Sequence, residues 1–152
     1  MSSQLKIASD SDIETIVSLL CDMQDEVKEL QLDKNIVRQS VLRSMSELVY
    51  WFLFLDENEE VFGTCYLQSV HNYWSTKRRY YLGGFYIAPS HRKQGRFKEL
   101  NQQLKEWAIN HDGVQIYCHI HEDNDHSLNS FNSVGMLPTE YKYCVHYWGE
   151  SS

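Results

Sequence analysis

The chain has 152 residues, 42% of them hydrophobic, and a net charge of −7, which suits one soluble domain, residues 1–152, large enough for a substantial core. No apolar run approaches the ~20 residues that span a bilayer, the first twelve residues lack the basic-then-apolar order of a secretory signal, and the acidic balance argues against a nucleic-acid binder. Cys21, Cys65, Cys118 and Cys144 are widely spaced with no C-x-x-C pair, so they read as reduced thiols of a cytoplasmic protein and not as a disulfide framework or zinc site.

Leu5 to Ala8 reads as a short first strand. Ser11 or Asp12 then caps a helix in which Ile13, Ile16, Val17, Leu20, Met23 and Val27 recur at helical spacing. A second helix is expected from about Asp33 to Glu47. Tyr50 to Leu55 and Val61 to Val70 read as a hairpin closed by the polar turn at 56–60. After a loop at 71–79, Tyr80 to Ala88 is the fourth strand; apolar on both faces, it belongs in the sheet interior. A helix from Gly95 to about Asn110 places Phe97, Leu100, Leu104, Trp107 and Ala108 on one face, and Asp112-Gly113 ends it. Val114 to His121 is the fifth strand, Ser127 to Val134 a short helix, and Glu140 to Trp148 a last strand. The order β-α-α-β-β-β-α-β-α-β makes an α/β (α+β) fold with a mixed central sheet and flanking helices.

The stretch Phe85 to Leu104 carries the strongest functional signal. An apolar strand end stops at Pro89, and a basic turn follows (His91, Arg92, Lys93, Gln94, Gly95, Arg96) before the helix. Such a strand–turn–helix aims free backbone N–H groups and a positive helix end at one spot, a site for phosphate or pyrophosphate. It is not a P-loop, since no Gly-Lys-Ser/Thr triplet is present, and not a dinucleotide fingerprint, since Gly83 and Gly84 precede the strand end. Seven basic and no acidic residues lie between Lys77 and Lys98, against seven basic and twenty-one acidic elsewhere. A basic island in an acidic protein suits a polyanionic ligand, although Lys77, Arg78 and Arg79 serve equally to solubilise a hairpin loop.

Arg92-x-x-Gly95-x-Phe97 resembles the Arg/Gln-x-x-Gly-x-Gly/Ala signature of the GNAT superfamily of N-acetyltransferases, in its Gly-x-Phe variant. A second segment agrees in order and spacing. Asn124, Ser127, Ser130, Phe131, Gly135 and Met136 occupy the offsets of that superfamily's N-x-x-A-x-x-L-Y-x-x-x-G-F pattern, with Asn124, the aromatic at 131 and Gly135 matching, Met136 substituting for Phe, and Ser127 and Ser130 departing. Tyr73-Trp74-Ser75-Thr76 is similar to a stretch in the diamine and spermidine acetyltransferase branch.

The resemblance implies an acyl-CoA N-acyltransferase fold that uses acetyl-CoA and no metal. It implies that backbone groups of Phe85 and Ile87, with Tyr86 between them, hold the pantetheine arm. Backbone N–H groups of Arg92, Lys93, Gln94, Gly95, Arg96 and Phe97 would take the pyrophosphate. Asn124 and Phe131 complete the cofactor-binding set. The superfamily's tyrosine acid falls on Phe131, which has no hydroxyl, and the spermidine branch's acidic pair falls on Gly83 and Gly84. Glycines inside a strand themselves suggest a bulge or a close approach. The base is then sought among His119, His121 and Glu122 near the end of strand five, where His119 and His121 would share a face; satisfied polar residues are an equally good reading of them. His126 could join those histidines at a metal, but no carboxylate or cysteine spacing supports it. The expected function is acetyl transfer from acetyl-CoA to a primary amine, on a small molecule, by direct transfer in a ternary complex. The alternatives are a CoA-binding regulatory module without turnover and an N-terminal or lysine acetyltransferase of proteins. No nucleic acid or membrane partner is expected, and the resemblance leaves a homodimer open.

Overall fold

The computed structural model describes residues 2–27 and 33–149. They fall into two compact units, residues 1–120 and 121–152. In the first unit the strands are β1 (Gln4–Ile7), β2 (Val49–Leu55), β3 (Val61–His71), β4 (Arg78–Ile87) and β5 (Gly113–Tyr117). The helices are α1 (Ile13–Val27), α2 (Lys34–Ser44) and α3 (Arg96–Asn110). The sheet order is β1-β2-β3-β4-β5, antiparallel up to β4 and parallel between β4 and β5. A parallel neighbour needs a crossover, and α3 supplies it. β4 therefore lies inside the sheet, as its two apolar faces require.

Alternation along β2 divides the core between two faces. Trp51 and Leu53 pack with Ile13, Ile16 and Val17 of α1 and Val37 and Val41 of α2. Tyr50 and Phe52 point the other way, their rings 5.0 and 5.1 Å from Trp107 of α3. Tyr80 of β4 joins them at 5.4 Å, its hydroxyl donating to the His111 carbonyl over 2.7 Å. Leu100, Leu104 and Ala108, all buried, complete this layer at the spacing read from the sequence. The Gln103 side chain ties α3 to the first strand, accepting from Leu5 N–H and donating to the Ser3 carbonyl, each over 2.7 Å.

The register between β3 and β4 slips by one between Thr64 and Tyr66: Thr64 faces Tyr86, but Tyr66 faces Gly83. The extra β4 residue makes a bulge, and Gly84 adopts φ 58°, the left-handed region that glycine enters at little cost. Pairing with β5 runs only as far as Tyr81 opposite Tyr117. Beyond it β4 continues through Ile87, and among the described residues no strand pairs with it on the β5 side. The bulge lies just past the last of these pairs. β5 is shorter than expected: it stops at Tyr117, not at His121. His119 and His121 thus lie beyond the strand, and the alternation that would set them on one face does not apply.

In the second unit, α4 (Asp125–Ser133) starts at Asn124, whose side chain accepts from Ser127 N–H over 3.1 Å. A strand was expected from Glu140 to Trp148, but no strand is present among the described residues of this segment. Alternating Tyr141, Tyr143, Val145 and Tyr147 reads as a strand face, yet alternation specifies faces and not a partner, and no ladder forms. These four side chains are exposed.

Candidate functional site

The turn after β4 is built from two left-handed residues. Pro89–His91 forms a short 3-10 turn, and Lys93 (φ 59°) and Gly95 (φ 75°) then reverse the backbone into α3. Alternating right- and left-handed residues turn successive N–H groups to one side, a concavity suited to an anion. Among the described residues nothing accepts from the N–H groups of Lys93, Gln94 or Gly95. Apart from Gly95 itself and its chain neighbours, nothing among the described residues lies within 4 Å of the place where a Cβ on Gly95 would stand. The concavity faces open space beside the positive end of a 15-residue helix.

The basic side chains here divide into two sorts. Arg92 folds back onto the protein: its Nε donates to the Ile87 carbonyl over 2.8 Å and its Nη2 to Glu26 over 2.7 Å. Tyr86 donates to the other Glu26 oxygen over 3.0 Å. The hydrogen bond from Arg92 holds the Glu26 carboxyl below its usual range, while burial, with Glu26 beside it, pushes the Tyr86 phenol up to about 12. Arg96 is 3% exposed, pairs with Glu57 over 3.0 Å and lies 5.1 Å from the Phe62 ring centroid. Its guanidinium is a structural group, so what Arg96 could offer a ligand is its backbone. Lys93 and Lys98 are exposed and make no ion pair among the described residues; their charges are open to an anion. A second anchor sits beneath the turn, where His91 Nε2 lies 2.9 Å from Asp56 Oδ2 and its ring stacks on Phe62 at 4.7 Å.

The remaining residues singled out from the sequence are placed as follows. Phe85, Tyr86 and Ile87 end β4, with the Phe85 ring 5.2 Å from Phe54 and 5.4 Å from Phe97 at the start of α3. Gln94 Nε2 donates to the Ser90 carbonyl and its Oε1 accepts from Arg96 Nε, bracing the turn from within. His119 follows β5 with its ring 5.1 Å from that of Tyr81. In the second unit, His121 Nδ1 accepts from Asp123 N–H over 3.1 Å, and His121 and Glu122 are exposed. Asn124 caps α4, and Phe131 lies near that helix's end. Among the described residues no group of three or more His, Cys, Asp or Glu side chains is arranged to hold a metal ion. None of their helices is long and apolar enough to cross a membrane.

The sequence reading passed over Tyr66. Its ring lies across the glycine pair of β4: a Cβ on Gly83 would stand 2.3 Å from its Oη. The signal available beforehand was the glycine pair itself, which marked a close approach without saying by which residue.

A family model described as the Acetyltransferase (GNAT) family matches residues 14–136. No curated protein sequence matches the chain significantly. Among solved structures, a "possible acetyltransferase" of Clostridium difficile 630 superposes with a TM-score of 0.86 at 14% identity, over 99% of this chain and 100% of that one. A predicted acetyltransferase of Clostridium acetobutylicum, solved with acetyl-CoA, gives 0.76 at 17% identity over 95% and 96%. An aminoglycoside acetyltransferase from an uncultured soil metagenomic sample, in complex with sisomicin, gives 0.76 at 16% identity over 99% and 97%.

Proposed function

This chain belongs to the GNAT acetyltransferase family, and from that premise we propose that it moves an acetyl group from acetyl-CoA to a primary amine on a small molecule, by direct transfer in a ternary complex. One observation carries the cofactor half of the reading: three consecutive N–H groups, at Lys93, Gln94 and Gly95, have no acceptor among the described residues and lie beside the N-terminus of α3. Backbone donors with no acceptor from the protein, held in a fixed turn beside a helix N-terminus, are what a pyrophosphate can bond. Lys93 and Lys98 add charge around them.

The cosubstrate supplies an acetyl group already activated as a thioester. The chain's share is orientation and proton handling. The N–H groups of the turn hold the pyrophosphate end, and the end of β4, which no strand pairs on the β5 side among the described residues, offers backbone groups along which an extended arm can align. Fixing the thioester beside the amine removes much of the entropic barrier. His119, His121 and Glu122 are the residues we assign as candidates for taking the ammonium proton. Phe131 has no hydroxyl to give to the departing sulfur, but a thiolate of pKa ~8.5 leaves without one. The soil aminoglycoside acetyltransferase, solved in complex with sisomicin, shares this fold and supports a small amine as acceptor.

The reading is tested by incubating the full chain with acetyl-CoA and a panel of primary amines, following free thiol and acetylated amine together. Equal, amine-dependent appearance of both supports it. Acetylation of peptide amines alone would transfer the reaction to a protein acceptor, and tight CoA binding without any turnover would make the chain a regulatory CoA binder.

A further inference from the structure

The sheet face that packs against α1 and α2 carries a row of aromatic rings toward β5. Tyr66 of β3 lies 6.3 Å from Tyr81 of β4, and Tyr81 lies 5.4 Å from Tyr117 of β5. Trp51 of β2 supports the row from behind, 4.9 Å from Tyr66. The glycine pair makes room for it. A Cβ on Gly83 would stand 2.3 Å from Tyr66 Cζ and Oη, and one on Gly84 3.2 Å from Cδ2. The phenol therefore rests on bare β4 backbone, at the bulge and beside the fork where β4 leaves β5. Its hydroxyl has no hydrogen-bond partner among the described residues. Burial pushes the phenol's pKa up, so the hydroxyl is uncharged at neutral pH and can donate or accept.

The charges around the row select among amines. The row itself contains no carboxylate. Glu26, which α1 brings to β4, is already held by Tyr86 and Arg92. At the β5 end a permanent cation is in place: the Arg79 guanidinium lies 4.7 Å from the Tyr117 ring centroid and is fixed by Gln115 over 2.7 Å. A ligand with several ammonium groups would meet that charge with no carboxylate in the row to balance its own. A ligand with one amine can bind as the free base, the form that attacks a thioester, because a nearby cation disfavours the ammonium. Its apolar body can then stack on the rings in offset or edge-on fashion.

We propose that the acceptor, in the reaction proposed above, is a primary monoamine with an aromatic body, held against Tyr66 at the fork of β4 and β5. Tyr66 is the specificity-determining residue: its ring takes the body of the acceptor and its hydroxyl hydrogen-bonds the amine.

The test uses the full chain at saturating acetyl-CoA with 2-phenylethylamine, spermidine and kanamycin as acceptors. The kcat/KM for 2-phenylethylamine is expected to exceed that for either polycation by about tenfold or more, the scale of one good aromatic contact. Tyr66→Ala should lower it about tenfold, chiefly through the amine KM, with the acetyl-CoA KM unchanged; Tyr66→Phe should recover the part due to the ring. Tyr117→Ala, on the edge strand, asks the same question if Tyr66→Ala fails to fold. A preference for the polycations, or unchanged phenylethylamine kinetics in a folded variant, overturns the proposal. If no amine turns over, the functional reading fails separately, and calorimetric titration of 2-phenylethylamine into the CoA-loaded protein decides the acceptor site. Saturable binding weakened by the variants supports it, and absence of binding overturns it.

Discussion

Gly95 adopts φ 75° at the junction of turn and helix, with open space where a side chain would project. A valine there would pay the left-handed penalty of about 1–2 kcal/mol and would occupy the concavity that we propose takes the pyrophosphate. Gly95→Val should therefore weaken acetyl-CoA binding about tenfold or more by calorimetry while lowering the melting temperature only by several degrees. Arg96, three-hundredths exposed and paired with Glu57, should behave in the opposite sense: Arg96→Met lowers the melting temperature and leaves acetyl-CoA affinity unchanged. Sequence alone placed both residues in one basic turn. It singled out Gly95 through the Arg92-x-x-Gly95 resemblance, but it could not distinguish Arg92 and Arg96, whose guanidinia fold inward onto Glu26 and Glu57, from Lys93 and Lys98, whose charges remain open. Those partners lie far away in the chain. Among the candidate bases, replacing the one that acts, by His119→Ala or His121→Ala, should lower kcat by about 10²-fold with little effect on acetyl-CoA binding. Full activity in both variants would remove histidine from the proton path.

At the level of the element, the β4 bulge sits just past the last pair with β5, and it seats Tyr66 on the glycine pair. Gly83→Ala places a methyl group 2.3 Å from the Tyr66 hydroxyl end, so the ring must move, at a cost of about 1–3 kcal/mol for an overpacked site. In a Tyr66→Ala background the same change should cost little. A double-mutant cycle in urea that shows simple additivity would mean the ring does not rest on Gly83. The turn between β2 and β3 is anchored differently. The hydrogen bond from His91, followed by backbone N–H groups of Glu60 and Asn58, holds the Asp56 carboxyl below its usual range. Folding thus favours the ionised carboxylate. That contribution is complete above the ordinary aspartate range and is lost as pH falls through the lowered folded-state value. Asp56→Asn should be less stable than the parent at neutral pH and should lose less stability between about pH 5 and about pH 3 in thermal melts. The helices and the β2–β3 hairpin were legible because spacing and turn residues are local signals. The early end of β5 and the absence of a strand at 140–148 were not, because a strand's length depends on whether a neighbouring strand stays beside it.

Across the molecule, an acidic chain carries one basic segment, from Lys77 to Lys98. Much of that basic charge is neutralised on site: Lys77 pairs with Asp112, Arg92 with Glu26 and Arg96 with Glu57. What remains for a ligand at the turn is a short arc of backbone N–H groups with Lys93 and Lys98 near it, and Arg79 keeps its charge at the β5 end. A mixed central sheet with flanking helices was legible in the element order and the family resemblance, whereas the strand order, with its parallel pair at β4 and β5, is a finding of the structure. The acceptor face could not be anticipated, since Tyr66, Tyr81 and Tyr117 come from three strands and meet only in the folded sheet. The proposed activity is acetylation of a small amine with acetyl-CoA bound at the 92–97 turn. Its most direct measurement is thiol release from acetyl-CoA by the full chain, recorded with and without a primary amine, in the parent and in Gly95→Val. Amine-dependent release in the parent that falls in the variant at subsaturating acetyl-CoA is the predicted result. Release that ignores the amine, or is untouched by Gly95→Val, would contradict the claim.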